Sequence, residues 1–82
     1  MLEKGSVVKS LRGRDKGYCL AVLRVEGKTV YVCDGKERPV DRPKAKNIRH
    51  IEPTGQKVCE EAFASNRSLR RALKAQSLGE AR

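Results

Sequence analysis

A chain of 82 residues has room for one domain with a thin hydrophobic core, in which a deep, water-excluding active-site pocket is hard to build. Lys and Arg number 19 against 10 Asp and Glu, for a formal net charge of +9 and a pI of about 10. This excess favours a polyanionic partner, nucleic acid above all. The longest apolar run, residues 19–23, is too short to span a bilayer, which predicts a protein with no membrane partner.

The glycine-punctuated first half of the chain predicts short strands, because its apolar residues are mostly Val, Ile and Leu. The five predicted strands cover residues 5–11, 18–26, 29–33, 36–40 and 47–52. Pro39 removes a ladder donor, so the fourth strand is expected at a sheet edge, followed by a basic loop over residues 41–46. Five short strands at this spacing predict a mainly β fold, a small five-stranded SH3-like barrel.

The Gly27-Lys28 loop between the second and third strands suits a type II′ hairpin turn. Such a turn pairs Leu23 with Val32 and places five apolar residues on one face, the expected core. These five residues are Ala21, Leu23, Val25, Val30 and Val32. The opposite face would carry Arg24 and Tyr31 as a partly solvated surface.

The composition changes after residue 53, where Ala, Leu, Lys and Arg dominate. This change predicts a barrel over residues 1–53 and a C-terminal helical extension over residues 54–82 that packs on or flanks the barrel. Ser65 or Asn66 can cap an α-helix, and Gly79 is a natural stop. Two apolar sets are expected to pack inward: Val58, Ala62 and Phe63 from a helical turn within residues 56–64, and Leu69, Ala72 and Leu73 from the helix.

Positive charge gathers in three clusters that could bind phosphate, since Arg offers a bidentate fork and Lys a mobile point charge. The first cluster, around the turn of residues 13–17, is Arg12, Arg14 and Lys16. The second is Lys36, Arg38, Arg42, Lys44, Lys46 and Arg49. The third lies on the helix and contains Arg67, Arg70, Arg71 and Lys74. A solvated face explains any single cluster equally well, but three in so short a chain favour binding.

Sequence-specific base recognition has less support, because stacking platforms need exposed aromatic rings. The chain has three aromatic residues, Tyr18, Tyr31 and Phe63. Of these, Tyr31 is the one expected on the outer sheet face. We therefore expect recognition of backbone and shape, with an affinity that falls steeply with salt.

Chemistry at a metal or a catalytic centre is not predicted. Cys19, Cys33, Cys59 and His50 could form a zinc set, but none of them belongs to a paired C-x-x-C or H-x-x-x-H unit. A single His with no acid and nucleophile placed around it gives no catalytic triad. We expect no cofactor, no metal and no enzymatic activity. The odd cysteine count and the absence of an apolar leader predict a cytoplasmic protein.

Five segments, in order, resemble the KOW-domain family, within it the short ribosomal-protein-like members of the large subunit. They are GSVVKS at 5–10, GRDKG at 13–17, DGK at 34–36, RPVDRPK at 38–44 and KNIRHI at 46–51. The resemblance covers about residues 4–52. It implies an SH3-like barrel that binds RNA, commonly ribosomal RNA, through the loop after the first strand. It assigns RNA contacts to Arg12, Arg14, Asp15 and Lys16, and to Arg42, Lys44, Lys46 and Asn47.

Two hypotheses follow. In the first, the chain is a monomeric RNA-binding module that acts with the ribosome or in translation, with ribosomal or other translation proteins as further partners. In the second, it is a protein-interaction module of SH3-like fold in transcription or translation complexes. An exposed apolar patch at Val58, Phe63 and Leu69 would favour the second hypothesis.

Overall fold

Five antiparallel strands and one C-terminal helix form the fold, seen in a computed structural model that describes residues 2–14 and 16–76. The elements are β1 (Ser6–Ser10), β2 (Cys19–Glu26), β3 (Thr29–Cys33), β4 (Lys44–Asn47), a 3-10 turn (Ile48–His50), β5 (Ile51–Lys57), a second 3-10 turn (Glu60–Ala64) and α1 (Asn66–Gln76). The strands are hydrogen-bonded in the order β4-β3-β2-β1-β5. The predicted mainly β fold with a C-terminal helix is confirmed. Closure of the sheet into an SH3-like barrel stays a prediction.

The fourth strand does not lie where the sequence placed it. Residues 36–40 form a loop because the Asp34 carboxylate accepts hydrogen bonds from the backbone N–H groups of Lys36 (2.8 Å) and Arg38 (2.9 Å). These bonds close a local turn in place of a strand ladder. The strand is Lys44–Asn47 instead, and it pairs with β3. Its first three residues fall in the predicted basic loop, and Asn47 was predicted to begin the last strand.

The last strand begins and ends later than predicted. Asn47 ends β4, and its side chain accepts a hydrogen bond from the backbone N–H of Arg49 (2.8 Å), which opens the first 3-10 turn. Strand β5 then runs through Pro53, past the boundary predicted at that residue, to Lys57. An edge strand tolerates the missing N–H of a proline. The second 3-10 turn consequently starts at Glu60, later than the predicted helical turn.

A bulge changes the predicted register of the β2–β3 hairpin. Gly27 adopts a positive φ of 62°, as a type II′ turn requires, and Val25 pairs with Val30 next to the turn. The register then shifts at Leu23, so that Val22 and not Leu23 lies opposite Val32. A bulge moves one residue out of the alternation. Leu23 and Ala21 therefore belong to a different apolar cluster from the rest of the predicted core face.

Both faces of the central strands are covered, which explains why β2 begins with a continuous apolar run, Cys19 to Leu23. One cluster contains Val8, Leu20, Val22, Val30, Val32 and Ile51. The other contains Val7, Cys19, Ala21 and Cys33 from the sheet, and Val58, Ala62, Leu69 and Leu73 from the C-terminal segment. In the structure the C-terminal segment therefore packs on one face of the sheet. Phe63 and Ala72 pack against it half-buried, so the apolar patch of the second hypothesis is covered.

Helix α1 begins at a side-chain cap. The Ser65 hydroxyl accepts a hydrogen bond from the backbone N–H of Ser68 (3.1 Å), so Ser65 of the two predicted candidates is the N-cap. The predicted stop at Gly79 lies outside the described residues. No helix within residues 2–14 and 16–76 is long and apolar enough to cross a membrane.

Candidate nucleic-acid interface

The first two basic clusters meet at one contact. The Lys46 ammonium on β4 donates a hydrogen bond to the backbone carbonyl of Arg12 (3.0 Å), at the start of the loop after β1. Nearby, the backbone N–H of Leu11 donates to the carbonyl of His50 (2.8 Å). This second bond holds Arg12 and Arg49 close together, since each is next in sequence to one of its partners.

Strand pairing adds Lys44 to the same region. Lys44 lies opposite Val32 and Lys46 opposite Val30. Alternate residues of a strand point to the same side, so both lysines project from one side of the β4 edge. We call Arg12, Lys44, Lys46, Asn47 and Arg49 the basic patch. All of them are exposed except the half-buried Lys46.

The acidic side chains that form ion pairs near β1 and β5 lie at the far end of those strands. Lys57 pairs with Glu3, and Lys4 pairs with Glu60 at 3.1 Å. Ser6 at this end and Ser10 beside the patch are four residue steps apart along β1, a distance of roughly 13 Å. In the described parts of the chain, the side chains of Arg12, Lys44 and Arg49 form no ion pair. The exposed cations Arg12, Lys44 and Arg49 thus lie away from the ion-paired end of β1 and β5.

The turn of residues 13–17 connects the patch residue Arg12 to the segment that leads into β2. Its base is closed by two backbone bonds, from Gly17 N–H to the Ser10 carbonyl (2.8 Å) and from Ser10 N–H to the Tyr18 carbonyl (3.0 Å). Arg14 and Lys16 are exposed on this turn, as expected for the loop that the resemblance assigns to RNA. The predicted contact residue Asp15 lies outside the described residues.

A cleft of about 390 Å³ opens beside Tyr18, the residue that follows this turn. It lies between Tyr18, the loop after β3 and the last turns of α1. Its lining residues are Tyr18, Cys19, Asp34, Lys36, Glu37, Arg70, Leu73 and Lys74. The structure therefore brings Lys36 of the second cluster together with Arg70 and Lys74 of the third. This volume falls in the range of small-molecule sites, about 300–1,000 Å³.

Helix α1 and the loop after β3 hold each other in place. Arg70 donates a hydrogen bond to the Gly35 carbonyl (3.2 Å), and the Asn66 side chain accepts one from the backbone N–H of Val40 (2.7 Å). Gly35 has a φ of +78° and packs so closely that an added Cβ would lie 2.3 Å from the Asn66 carbonyl oxygen. The walls of the cleft are thus fixed by hydrogen bonds and close packing.

The other predicted RNA contacts lie apart from these two groups. Arg42 is exposed in the loop before β4, and Arg71 is exposed on α1 next to the cleft residue Arg70. Arg38 is half-buried: its carbonyl accepts from the N–H groups of Asp34 (3.0 Å) and Gly35 (3.1 Å). Its backbone therefore builds the loop, and its guanidinium is less available than those of the other two arginines.

The exposed aromatic ring is Tyr18, not Tyr31. Tyr31 is half-buried, with the Arg24 guanidinium 4.1 Å from its ring centre. Tyr18 is 47% exposed at the cleft. The sequence signal for Tyr18 was its position directly after the glycine-bracketed turn, which places a ring at the foot of a basic loop.

The cysteines behave as separate residues. Cys19 and Cys33 are buried in the sheet and Cys59 is exposed. Burial, with a smaller contribution from Asp34, raises the pKa of the Cys33 thiol to about 11. In the described portion of the chain, no three His, Cys, Asp or Glu side chains are grouped so that they could hold a metal ion.

No protein-family model matches this chain, and no curated protein matches it. The KOW-like order of motifs is therefore a resemblance carried by the residues themselves. Together with the patch, the turn and the cleft, it is the basis of the functional proposal below.

Proposed function

We propose that this chain binds RNA through its sugar–phosphate backbone, without catalysis, using the basic patch and the turn of residues 13–17. The Lys46–Arg12 contact carries the proposal, because it joins two clusters that are distant in sequence into one cationic surface. Phosphates along a nucleic-acid backbone need several positive donors at repeated spacing, which such a surface provides.

The separation of charge supports this function over a merely soluble basic surface. A solvated face would place acidic partners among its basic residues, as occurs at the Glu3–Lys57 end of the sheet. The exposed cations of the patch keep their charge available, at a cost in self-repulsion that a bound polyanion would relieve.

The choice of RNA, and of a role with the ribosome or in translation in the cytoplasm, rests on the KOW-like segments. The loop after β1 and residues 42–47 are the parts that this resemblance assigns to RNA. They include Arg12 and Lys46, whose contact defines the patch. The protein-interaction hypothesis loses its specific support, since Val58 and Leu69 are buried.

A pair of matched substitutions tests the proposal. Lys44→Ala removes one exposed positive charge from the patch, and Lys57→Ala removes one from the ion-paired end of the same sheet. We expect Lys44→Ala to weaken binding to several structured RNAs of unrelated sequence by a similar factor, because phosphate contacts carry no base information. Lys57→Ala should leave these affinities nearly unchanged. Fluorescence anisotropy with labelled RNAs measures both.

Two results would contradict the proposal. Equal losses from both substitutions would show that only net charge matters. A loss from Lys44→Ala confined to one RNA sequence would show base recognition where we propose backbone contacts.

A further inference from the structure

We propose that the cleft beside Tyr18 binds one unpaired nucleotide of the RNA, with its base stacked on the Tyr18 ring and its phosphate held by Lys36 and Lys74. This inference rests on the proposed RNA binding and adds to it a preference for single-stranded segments. It is carried by the composition of the cleft walls and by their position along the basic surface.

The cleft combines the groups that a nucleotide needs. Tyr18 offers a half-exposed ring at its edge, and the buried apolar side chains of Cys19 and Leu73 line it. Aromatic rings bind unpaired bases of any sequence by stacking. Lys36 and Lys74 are exposed in the same walls and can bind a phosphate.

The carboxylates in the walls favour a nucleotide over phosphate groups alone. Asp34 and Glu37 line the cleft together with its three cations, Lys36, Arg70 and Lys74. Three positive and two negative side chains give the cleft a local net charge of only +1. A site with so little net charge would bind a bare phosphate weakly. A carboxylate can instead accept hydrogen bonds from a base amino group.

The position of the cleft favours a nucleotide that belongs to an RNA strand. Tyr18 begins the segment that leads into β2, and its carbonyl closes the base of the turn of residues 13–17. Ser10 lies at the other end of that turn, next to the patch. The two ends of the turn are hydrogen-bonded to each other, so an RNA that contacts Arg12 beside one end also comes close to Tyr18 at the other.

The cleft is also held in shape before any ligand binds. Arg70 donates to the Gly35 carbonyl, and the Asp34 carboxylate holds the backbone of Lys36 and Arg38. Preorganised walls reduce the entropic cost of binding.

The experiment compares a single-stranded RNA of eight nucleotides with a fully paired RNA duplex of the same length, using wild-type chain, Tyr18→Leu and Tyr18→Phe. Tyr18→Leu should weaken single-strand binding by roughly 5- to 150-fold, the loss expected for one stacked base, and leave duplex binding within about twofold. Tyr18→Phe keeps the ring and should bind as the wild type does. Circular dichroism establishes that each variant is folded.

A second variant keeps the test decisive if Tyr18→Leu fails to fold. Lys74→Gln alters an exposed side chain of the same cleft and should also weaken the single strand more than the duplex. Free adenosine monophosphate, which lacks the neighbouring phosphates, should compete for the cleft only at concentrations far above those of the RNA.

Other outcomes overturn the inference in distinguishable ways. Equal effects of Tyr18→Leu on single strand and duplex would leave backbone binding standing and remove the nucleotide site. Displacement of single-stranded RNA by an acidic peptide, lost in Tyr18→Leu, would make the cleft a protein site. Displacement by equimolar adenosine monophosphate would assign it to free nucleotides. A wild-type chain that binds neither RNA, even at low salt, would remove the proposed function itself.

Discussion

At the scale of single residues, Gly35 determines whether helix α1 can dock on the loop after β3. A side chain there would meet the Asn66 carbonyl at 2.3 Å, in a backbone conformation of positive φ that L-residues rarely adopt. We expect Gly35→Ala to lower the free energy of unfolding by about 3 kcal/mol, from backbone strain and overpacking together. Urea denaturation measures the change.

Gly55→Ala is the matched control. Gly55 also has a positive φ, of +83°, but open space surrounds the position of its missing Cβ. Only the conformational cost should remain, about 1 kcal/mol. Equal losses from the two substitutions would contradict the docking geometry.

The three cysteines should differ sharply in reactivity. Cys59 is exposed, whereas Cys33 is fully buried and its pKa is raised to about 11, so its reactive thiolate is scarce at pH 7–9. With a chromogenic disulfide reagent, we expect one fast thiol in the folded protein and three after denaturation.

Cys59→Ser should remove the fast reaction. If it persists in that variant, one of the buried thiols must be accessible, and the packing of Cys19 or Cys33 under the C-terminal segment would be wrong.

At the scale of elements, the N-cap at Ser65 stabilises the start of α1, the helix that lines one wall of the cleft. Ser65→Ala removes the acceptor of the Ser68 N–H and should destabilise the protein by about 1 kcal/mol. Ser65→Asp keeps an acceptor at the cap and should retain wild-type stability. Thermal denaturation followed by circular dichroism measures both, and an Asp variant as unstable as the Ala variant would argue against the cap.

The sequence predicted those elements whose local chemistry and tertiary environment agree. Gly27 marks the β2–β3 hairpin because only a positive φ fits the turn, and the apolar spacing of Leu69 and Leu73 marks the buried side of α1. Predictions from local sequence pattern were wrong where strand pairing between distant segments or a side-chain hydrogen bond determined the backbone conformation. The Asp34 carboxylate turned residues 36–40 into a loop, and pairing with β3 made a strand of Lys44–Asn47.

The sequence predicted the basic clusters of the candidate site, but not that two of them meet on one surface. Charge identified Lys46 and Arg12 separately, and no local pattern could show that the Lys46 ammonium reaches the Arg12 carbonyl across the sheet. The exposure of the Tyr18 ring was not predicted. Tyr18 is the first residue of a predicted strand, and a strand pattern does not show how much of the side chain at its first residue is covered. Its exposure depends on how α1 packs against the loop after β3.

At the scale of the whole molecule, two ion pairs and the patch lie at opposite ends of the β1–β5 pair. Lys4–Glu60 and Lys57–Glu3 lie where β1 begins and β5 ends, and the patch lies where β1 ends and β5 begins. A third ion pair, Arg24–Glu26, lies in β2. The antiparallel β1–β5 pairing is what keeps these regions apart. Part of the net charge of +9 is therefore concentrated at the patch, away from the Glu3 and Glu60 carboxylates.

A salt titration of RNA binding tests the central claim most directly. Six cations lie on the patch and the turn: Arg12, Arg14, Lys16, Lys44, Lys46 and Arg49. If four to six of them contact phosphates, the logarithm of the association constant for structured RNA should fall linearly with the logarithm of salt concentration. The expected slope is about −3 to −5. Binding that is indifferent to salt, or absent even at low salt, would contradict a backbone-binding surface.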